Sequence, residues 1–286
     1  SELGQLDPAA LFEFHKGRMI TYEADPETTC LVELDEEPPH PLNQEALEVA
    51  LTISLLVNAK PLDEIHVMRK VVIDGSNTTG FQRTSVIALD GRLVVDGKEV
   101  PVQQVTLEED AGRKTGETKD SVLFRLDRLC VPLIEISTGP VIASPEEAGK
   151  TALAIGRVLR ATKKVKRGLG SVRQDLNISI KQGALVEIKG VQELELVSQV
   201  VEYEVQRQLS LLGIRDELRQ RNVKDSNLKK DFVDVTSILA ESKSKVVHSA
   251  LKHGGVAYAV CLHGFKGLLK RELVPGVRLG TEMAKR

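Results

Sequence analysis

The sequence predicts an α+β fold in which a mainly antiparallel sheet is flanked by helices. Two observations lead to this prediction: long segments repeat apolar residues with helical spacing, and many short β-branched runs are joined by turn-forming residues. Strands and helices alternate too rarely to build the βαβ units of a parallel sheet. With 286 residues, the chain can form one large domain or two small ones.

Helices are predicted where apolar residues recur with helical spacing after a start signal. Asn43 precedes the first such segment as an N-cap, and Ser144 with Glu147 forms a capping box before the second. We expect Gly213 to end the third helix, because glycine readily adopts the left-handed conformation found there. The predicted helices cover residues 43–58, 144–161, 193–212 and 244–253.

Strands are predicted in the β-branched runs between these helices. Asp90 and Gly91 form a turn signal that separates two of the runs, and residues 181–183 form another within a hairpin. The predicted strands cover residues 67–73, 84–89, 92–95, 100–108, 131–137, 172–180, 185–188, 232–236 and 256–262.

The composition is ordinary for a globular protein and has no strong charge bias. Hydrophobic residues make up 41%, and the formal net charge of −2 predicts no general affinity for nucleic acid. Cys30, Cys130 and Cys261 are too far apart for a disulfide framework or a CxxC metal pair, so we expect a reducing, cytoplasmic environment. No apolar run reaches the ~18 residues of a membrane-spanning helix, and no membrane association is expected.

A loop rich in hydrogen-bond donors follows the first predicted strand. Residues 74–83 contain two glycines and several hydroxyl and amide side chains, and these polar side chains lie between cations at Arg69 and Lys70 on one side and Arg83 on the other. Glycine lets the backbone approach a ligand closely, and clustered N–H and O–H donors suit an anion such as phosphate. The composition fits a polar hairpin tip equally well, so both interpretations stay open.

Four acidic residues lie in or beside otherwise apolar predicted strands: Glu109, Glu135, Asp175 and Glu187. A single such acid usually faces solvent on the polar side of an antiparallel sheet. If the polar faces of these strands coincide, however, they form one open surface lined with carboxylates. Mg²⁺ prefers oxygen ligands and shares them with nucleotide phosphates, so this arrangement predicts a site for ATP and Mg²⁺.

Alternation along one strand adds further polar groups to this hypothesis. Arg173, Asp175 and Asn177 are spaced two apart, which places all three on one face of a strand. Arg173 could bind phosphate through two parallel hydrogen bonds, Asp175 a metal, and Asn177 a carbonyl or ribose. Such triples are common by chance, so the spacing alone does not identify a site.

Several of these motifs occur together and in order in one known family. They lie in residues 38–43, 67–84, 107–112, 131–136, 170–179 and 186–189. On these motifs the chain resembles the tRNA-dependent amidotransferase B/E family, with matches from about Tyr22 to Leu212 and weaker ones to Glu282. Residues 35–41 and 166–168 favour the archaeal E branch over the B branch.

The resemblance implies a carbon–nitrogen ligase built as a cradle with a glutamine-synthetase-like kinase centre. ATP phosphorylates the γ-carboxylate of glutamate on Glu-tRNA(Gln), and ammonia from a separate glutaminase, the D subunit of the archaeal amidotransferase, displaces the phosphate. Carry-over from the family motifs puts Glu109 and Glu187 first as Mg²⁺ ligands and Glu135 after them. Asp175 is expected to act with Glu109 and Glu187 in catalysis. The expected nucleotide contacts are Arg69, Lys70, Ser76, Gln82, Arg83 and Arg173.

The chain departs from the family pattern at two places. The family's first strand carries a Gly-Leu-Glu-(Ile or Val)-His signature that is absent here, and His15 is expected to be an exposed loop residue rather than its replacement. Cys30 stands where zinc-bearing B subunits have one of two cysteines, but Glu33 replaces the other, so no structural zinc is expected. We therefore expect a fragment, with residues 1–220 forming the cradle without its first strand and 221–286 forming its end and the junction to an absent insertion domain.

Two other functions stay open at the level of sequence. The chain could be a tRNA-binding or assembly scaffold that keeps the cradle fold without the metal centre. It could also be a bacterial-type B subunit that acts on Asp-tRNA(Asn) as well. The basic residues 163–167 fit either a solvated helix end or a contact with the tRNA backbone.

Overall fold

The computed structural model describes residues 4, 6–168, 170–224, 226 and 232–285. The chain divides into two compact units, Ser1–Val172 and Arg173–Arg286, and each has its own apolar core. The predicted domain boundary between residues 220 and 221 lies inside the second unit and stays a prediction. Within the described part of the chain, no helix is long and apolar enough to cross a membrane.

Helices form at all four places where apolar spacing and start signals predict them. The Asn43 side chain accepts a hydrogen bond from the Ala46 amide, and Ser144 accepts one from the Glu147 amide. His15 is exposed as predicted, but it ends a helix, so its predicted loop position is wrong. The described helices are α1 (Pro8–His15), α2 (Gln44–Leu56), α3 (Pro145–Ala161), α4 (Leu194–Gln220), α5 (Lys245–Lys252) and α6 (Leu279–Lys285).

Helix α4 continues through Gly213 instead of ending there. The next residue, Ile214, is 4% exposed and packs with Leu268, Leu273 and Leu279. A glycine inside a helix costs about 1 kcal/mol, and this apolar contact offsets the cost. The prediction that Gly213 ends the helix is therefore wrong, because tertiary packing outweighs the local preference.

The strands of the first unit pair in mostly antiparallel sheets. They are β1 (Met19–Glu23), β2 (Lys60–Pro61), β3 (Val67–Val71), β4 (Phe81–Val95), β5 (Lys98–Glu109), β6 (Arg113–Glu117), β7 (Ser121–Arg125) and β8 (Pro132–Thr138). A five-stranded antiparallel sheet has the order β2-β4-β5-β8, with β3 also paired to β4. A separate sheet has the order β1-β7-β6, in which β1 and β7 are parallel.

Asp90 and Gly91 lie inside the long strand β4 rather than in a turn between two strands. Gly91 pairs with Val102 on β5. A Cβ atom at Gly91 would lie 2.8 Å from the Val57 carbonyl oxygen, so glycine is needed there for close backbone packing. The predicted turn is therefore wrong, since the glycine serves packing and not chain reversal.

Helices α2 and α3 cover one face of the five-stranded sheet and form the core of the first unit. Ala50 of α2 packs against Ile87 and Leu107, and all three are buried. Ile155 and Val158 of α3 pack against a second buried cluster, made of Val57, Ala59, Ala88, Leu93, Val102 and Val105. This packing fixes which side chains of each strand point away from the helices.

The second unit combines the long helix α4 with short antiparallel strand pairs. Its strands are β9 (Gln174–Ile178), β10 (Val186–Val191), β11 (Phe232–Asp234), β12 (Tyr258–Val260), β13 (Glu272–Val274) and β14 (Val277–Arg278). They pair as β9–β10, β11–β12 and β13–β14, which confirms the predicted hairpin across residues 181–183. The α+β class with mainly antiparallel sheets is thus confirmed.

Candidate active site

The end of strand β5 places two adjacent glutamates on opposite faces of the five-stranded sheet. Leu107 lies on the face that packs against α2, here named the helix face. Because side chains alternate along a strand, Glu109 shares the helix face, whereas Glu108 lies on the opposite face. Glu108 stands directly across from Thr84 of β4.

On the opposite face, Glu108 is held by two neighbouring groups. The Thr84 hydroxyl donates a hydrogen bond to Glu108 Oε1 at 2.9 Å, and Lys70 Nζ lies 3.6 Å from the same oxygen. The Glu108 side chain is only 12% exposed, while that of Lys70 is 55% exposed. The carboxylate is therefore oriented from within the sheet, and the ammonium group beside it remains accessible to an anion.

Glu135 lies on the same opposite face as Glu108. On β8 it stands directly across from Thr106, which precedes Glu108 by two residues and so shares its face. Glu135 is exposed, and its Oε1 accepts a hydrogen bond from the Ser137 hydroxyl at 3.3 Å. Two carboxylates thus line one sheet face, but the sequence hypothesis placed Glu109 there, and Glu109 does not share the face of Glu135.

Sequence reasoning did not single out Glu108, because the family motif contains two consecutive glutamates and no residue pattern distinguishes them. The strand itself carries a signal, since adjacent acids in a strand cannot share a face. Using that signal requires the register between β5 and β8, and register is a property of strand pairing rather than of either segment alone.

On the helix face, Glu109 forms an ion pair with Arg83, and both side chains are 15% exposed. The Arg83 guanidinium also donates to the His40 carbonyl, and the Gln82 side chain donates to the Glu109 carbonyl. The structure thus pairs a predicted metal ligand, Glu109, with a predicted phosphate ligand, Arg83. Either predicted role would compete with this ion pair, and both stay predictions.

An open pocket of about 420 Å³ lies beside this ion pair and includes Cys30, Glu33, His40 and Cys130 in its lining. Burial, reinforced by the charge of Glu109, raises the pKa of the Cys130 thiol to about 12. Burial by itself would raise the pKa of Glu33. Hydrogen bonds from Cys30, together with the electrostatic effect of the nearby His40, outweigh burial and lower this pKa.

The predicted phosphate loop between β3 and β4 is held by contacts within the protein. The Ser76 hydroxyl donates to Asp74 Oδ1 at 2.7 Å, and the Tyr22 hydroxyl donates to the Gly75 carbonyl at 2.7 Å. Ser76 and Asn77 are at most 9% exposed. A phosphate contact by Ser76 would need the loop to rearrange, so the anion role of this loop stays a prediction.

The remaining predicted nucleotide ligands of the sheet divide between its two faces. Lys70 stands across from Gln82, and alternation puts both on the face of Glu108. Arg69 stands across from Arg83 and lies over the ring of Phe81, with its guanidinium carbon 4.8 Å from the ring centre. The structure therefore brings Lys70 and Gln82, but not Arg69 or Arg83, to the face that carries the paired carboxylates.

In the second unit, the β9–β10 hairpin brings the predicted acids Asp175 and Glu187 together. Glu187 stands across from Asn177, so Asp175, Asn177 and Glu187 share one exposed face. Lys189 bridges them, with Nζ 2.9 Å from Glu187 and 3.7 Å from Asp175. The hydrogen bond to Glu187, together with the charges of both acids, raises the pKa of Lys189. Arg173 immediately precedes β9 and is exposed.

The paired carboxylates are chemically compatible with Mg²⁺. In nucleotide-dependent enzymes Mg²⁺ is commonly held by one or two carboxylates together with waters and substrate phosphates. Across the described ranges, no three acidic, histidine or cysteine side chains already converge on a metal-sized position. A Mg²⁺ ion at Glu108 and Glu135 would therefore take its remaining ligands from a nucleotide and from water.

These features define an α+β domain whose antiparallel sheet presents carboxylates and a lysine on one face. The family model described as GatB/GatE catalytic domain matches residues 14–258. The chain belongs to this GatB/GatE catalytic domain family.

Curated relatives agree with the family assignment. A protein of Aeropyrum pernix, named as the E subunit of glutamyl-tRNA(Gln) amidotransferase, is 58% identical over 285 residues, which covers 99% of this chain and 44% of the relative. Proteins of the same name from Pyrococcus abyssi and Saccharolobus islandicus are 56% and 53% identical, covering 100% and 99% of this chain and 45% of each relative. The chain thus spans slightly less than half the length of these relatives.

Proposed function

We propose that this chain carries the kinase centre of a tRNA-dependent amidotransferase that converts Glu-tRNA(Gln) to Gln-tRNA(Gln). ATP phosphorylates the glutamate γ-carboxylate, and ammonia then displaces the phosphate. The observation that carries the proposal is the pairing of Glu108 and Glu135 on one sheet face, with Lys70 beside them. Family membership and the names of the relatives support this choice of reaction.

The proposed roles follow from the charges on this face. Glu108 and Glu135 would hold Mg²⁺, which supplies charge neutralisation for the nucleotide phosphates when bound. Lys70 binds a phosphate oxygen as a point charge, and Thr84 keeps Glu108 in position through its hydrogen bond. Phosphoryl transfer needs positioning and charge neutralisation more than covalent chemistry from the protein, and these side chains provide both.

The other ligands predicted from sequence remain in the proposal on the condition that the ion pairs they form within the protein can open. Glu109 and Arg83 would contact metal and phosphate after their mutual ion pair opens. Asp175 and Glu187 would do so after Lys189 moves aside. A structural zinc ion is not part of the proposal.

We further propose that a separate glutaminase, the amidotransferase D subunit, supplies the ammonia, and that the reaction takes place in the cytoplasm. This chain is expected to bind that glutaminase more tightly than it binds tRNA(Gln). Its net charge is −2, and in the basic segment 163–167 Lys164 lies 3.7 Å from Glu45. Few phosphate contacts are available, and tRNA affinity scales with their number. Binding of labelled tRNA(Gln) and of the purified glutaminase at ~150 mM salt compares the two affinities, and tighter tRNA binding would contradict the proposal.

The reaction is tested by measuring ATP cleavage in the assembled amidotransferase. We expect cleavage to require Glu-tRNA(Gln) and Mg²⁺, and Gln-tRNA(Gln) to form only when glutamine or ammonia is also present. Uncharged tRNA(Gln) is the matched control for the substrate. A folded complex that binds tRNA but cleaves no ATP under any of these conditions would favour the scaffold function instead.

A further inference from the structure

We infer that the Thr106 hydroxyl is a positioning group that holds the Glu135 carboxylate when nucleotide and metal bind. The inference rests on the proposed function. Thr106 is 5% exposed, and its Oγ1 has no hydrogen-bond partner among the described residues. A buried hydroxyl without a partner lowers stability, so its presence beside a candidate site calls for a functional explanation.

The position of Thr106 indicates which group its hydroxyl serves. It lies on the face of Glu108 and Glu135, and it stands directly across from Glu135. Opposed side chains of an antiparallel pair have Cβ atoms roughly 4.5–5.5 Å apart. That separation is within reach of a hydrogen bond between a hydroxyl and a carboxylate.

The two carboxylates of this face differ in how well they are held. Glu108 is fixed by the Thr84 hydroxyl and by the ammonium of Lys70. Glu135 is exposed, and in the described part of the chain it has one hydrogen bond, the 3.3 Å contact from Ser137. Glu135 is therefore the carboxylate that lacks a second donor, and the unused donor lies across from it.

The hydroxyl finds its acceptor when Glu135 turns from solvent towards the sheet to meet a cation. One carboxylate oxygen then faces the cation, and the other accepts the hydrogen bond from Thr106. A hydrogen bond to a charged group is among the stronger ones in proteins, and here it forms only in the bound state. Thr106 thus contributes to ligand binding and turnover at the expense of the stability of the free protein.

Ser85 offers a matched control. Its side chain is 0% exposed, and its hydroxyl also lacks a partner among the described residues. It stands across from Leu107, however, and so lies on the helix face, away from both carboxylates. Removing this hydroxyl tests what loss of an unpaired buried group does without any effect on Glu135.

The test compares Thr106→Val, Thr106→Ser and Ser85→Ala in the complete amidotransferase. Valine keeps the shape of threonine and removes the hydroxyl, whereas serine keeps the hydroxyl. We expect Thr106→Val to lower kcat for tRNA-dependent ATP cleavage about tenfold and to raise the Mg²⁺ concentration needed for half-maximal activity, with an unchanged or higher thermal midpoint. Thr106→Ser should restore kcat, and Ser85→Ala should keep wild-type activity.

Wild-type kcat and Mg²⁺ dependence in Thr106→Val would overturn the inference and leave the proposed function standing. Equal loss of activity in Thr106→Val and Thr106→Ser, with lowered thermal midpoints, would assign Thr106 a packing role and would also overturn it. If the unsubstituted protein shows no tRNA-dependent ATP cleavage, the proposed function fails, and the inference fails with it.

Discussion

Two consecutive glutamates have different surroundings on the helix face and on the opposite face of the five-stranded sheet. Glu109, on the helix face, is neutralised by Arg83 beside a pocket. Glu108, on the opposite face, is oriented by a hydroxyl and shares its surface with Glu135 and Lys70. The cation beside Glu109 is largely buried, whereas the cation beside Glu108 remains exposed. This difference is why we propose that the opposite face, and not the helix face, acts on a ligand.

Removing the carboxylates one at a time tests this difference most directly. We expect Glu108→Gln and Glu135→Gln each to lower tRNA-dependent ATP cleavage at least about 100-fold, because each removes an anionic Mg²⁺ ligand at constant volume. Glu109→Gln, assayed together with them at limiting Mg²⁺, shows which of the adjacent residues Glu108 and Glu109 is needed for ATP cleavage. Loss of activity in Glu109→Gln with normal turnover in Glu108→Gln would reverse the assignment in favour of the sequence prediction.

The second unit supplies a test of whether its hairpin contributes to the same chemistry. We expect Glu187→Gln to lower ATP cleavage about 10- to 100-fold without unfolding the protein, as for loss of a metal ligand or its support. Lys189→Met is the informative companion, because it frees Asp175 and Glu187 from their shared cation. Normal turnover in Glu187→Gln at limiting Mg²⁺ would confine the site to the first unit.

The largely buried ion pair between Arg83 and Glu109 should contribute more to the free energy of unfolding than exposed ion pairs do. We expect Arg83→Met to lower the free energy of unfolding by about 2–3 kcal/mol, because it leaves the largely buried Glu109 carboxylate without its cation. Lys150→Met breaks the exposed pair with Asp96 and should lower the free energy of unfolding far less, because solvent screens that pair. Urea unfolding of the two variants measures the contrast, and equal effects would show that burial of the Arg83 pair has no energetic consequence.

The loop between β3 and β4 offers a smaller effect. We expect amide hydrogen exchange across residues 74–83 to slow when an ATP analogue and Mg²⁺ bind. Gly80 is exposed, whereas Ser76 and Asn77 are already buried, so the slowing should concentrate near Gly80. Unchanged exchange, with nucleotide binding established separately, would count against a phosphate role for the loop.

The smallest effect concerns the Cys130 thiol, which lines the pocket beside the ion pair of Glu109 and Arg83. Because burial raises the pKa of Cys130 from 9.0 to about 12, its contribution to stability is complete below about pH 9 and is lost as pH rises towards 12. At about pH 8.5 we expect iodoacetamide to label the exposed Cys30 and Cys261 before Cys130. Equal labelling rates in the folded protein would show that the pocket does not protect this thiol.

Local sequence signals account for much of the fold. Asn43 and Ser144 start their helices as predicted, because a capping hydrogen bond is made within three residues of the chain. The β9–β10 hairpin also follows from its own turn and alternation, which bring Asp175 and Asn177 to one face. These features depend on neighbours in sequence, so the sequence by itself determined them.

Only the tertiary structure decided the features that depend on distant segments. Gly213 lies within a helix because Leu268, Leu273 and Leu279 pack on the neighbouring Ile214. Gly91 lies within a strand because it meets the backbone of Val57. Which of Glu108 and Glu109 shares a face with Glu135 has the same origin. Glu108 and Glu109 are the same residue type and lie in the same motif. They differ in which face of β5 each one occupies relative to α2 and β8. That orientation of β5 is set when apolar side chains such as Leu107 are buried against the helices.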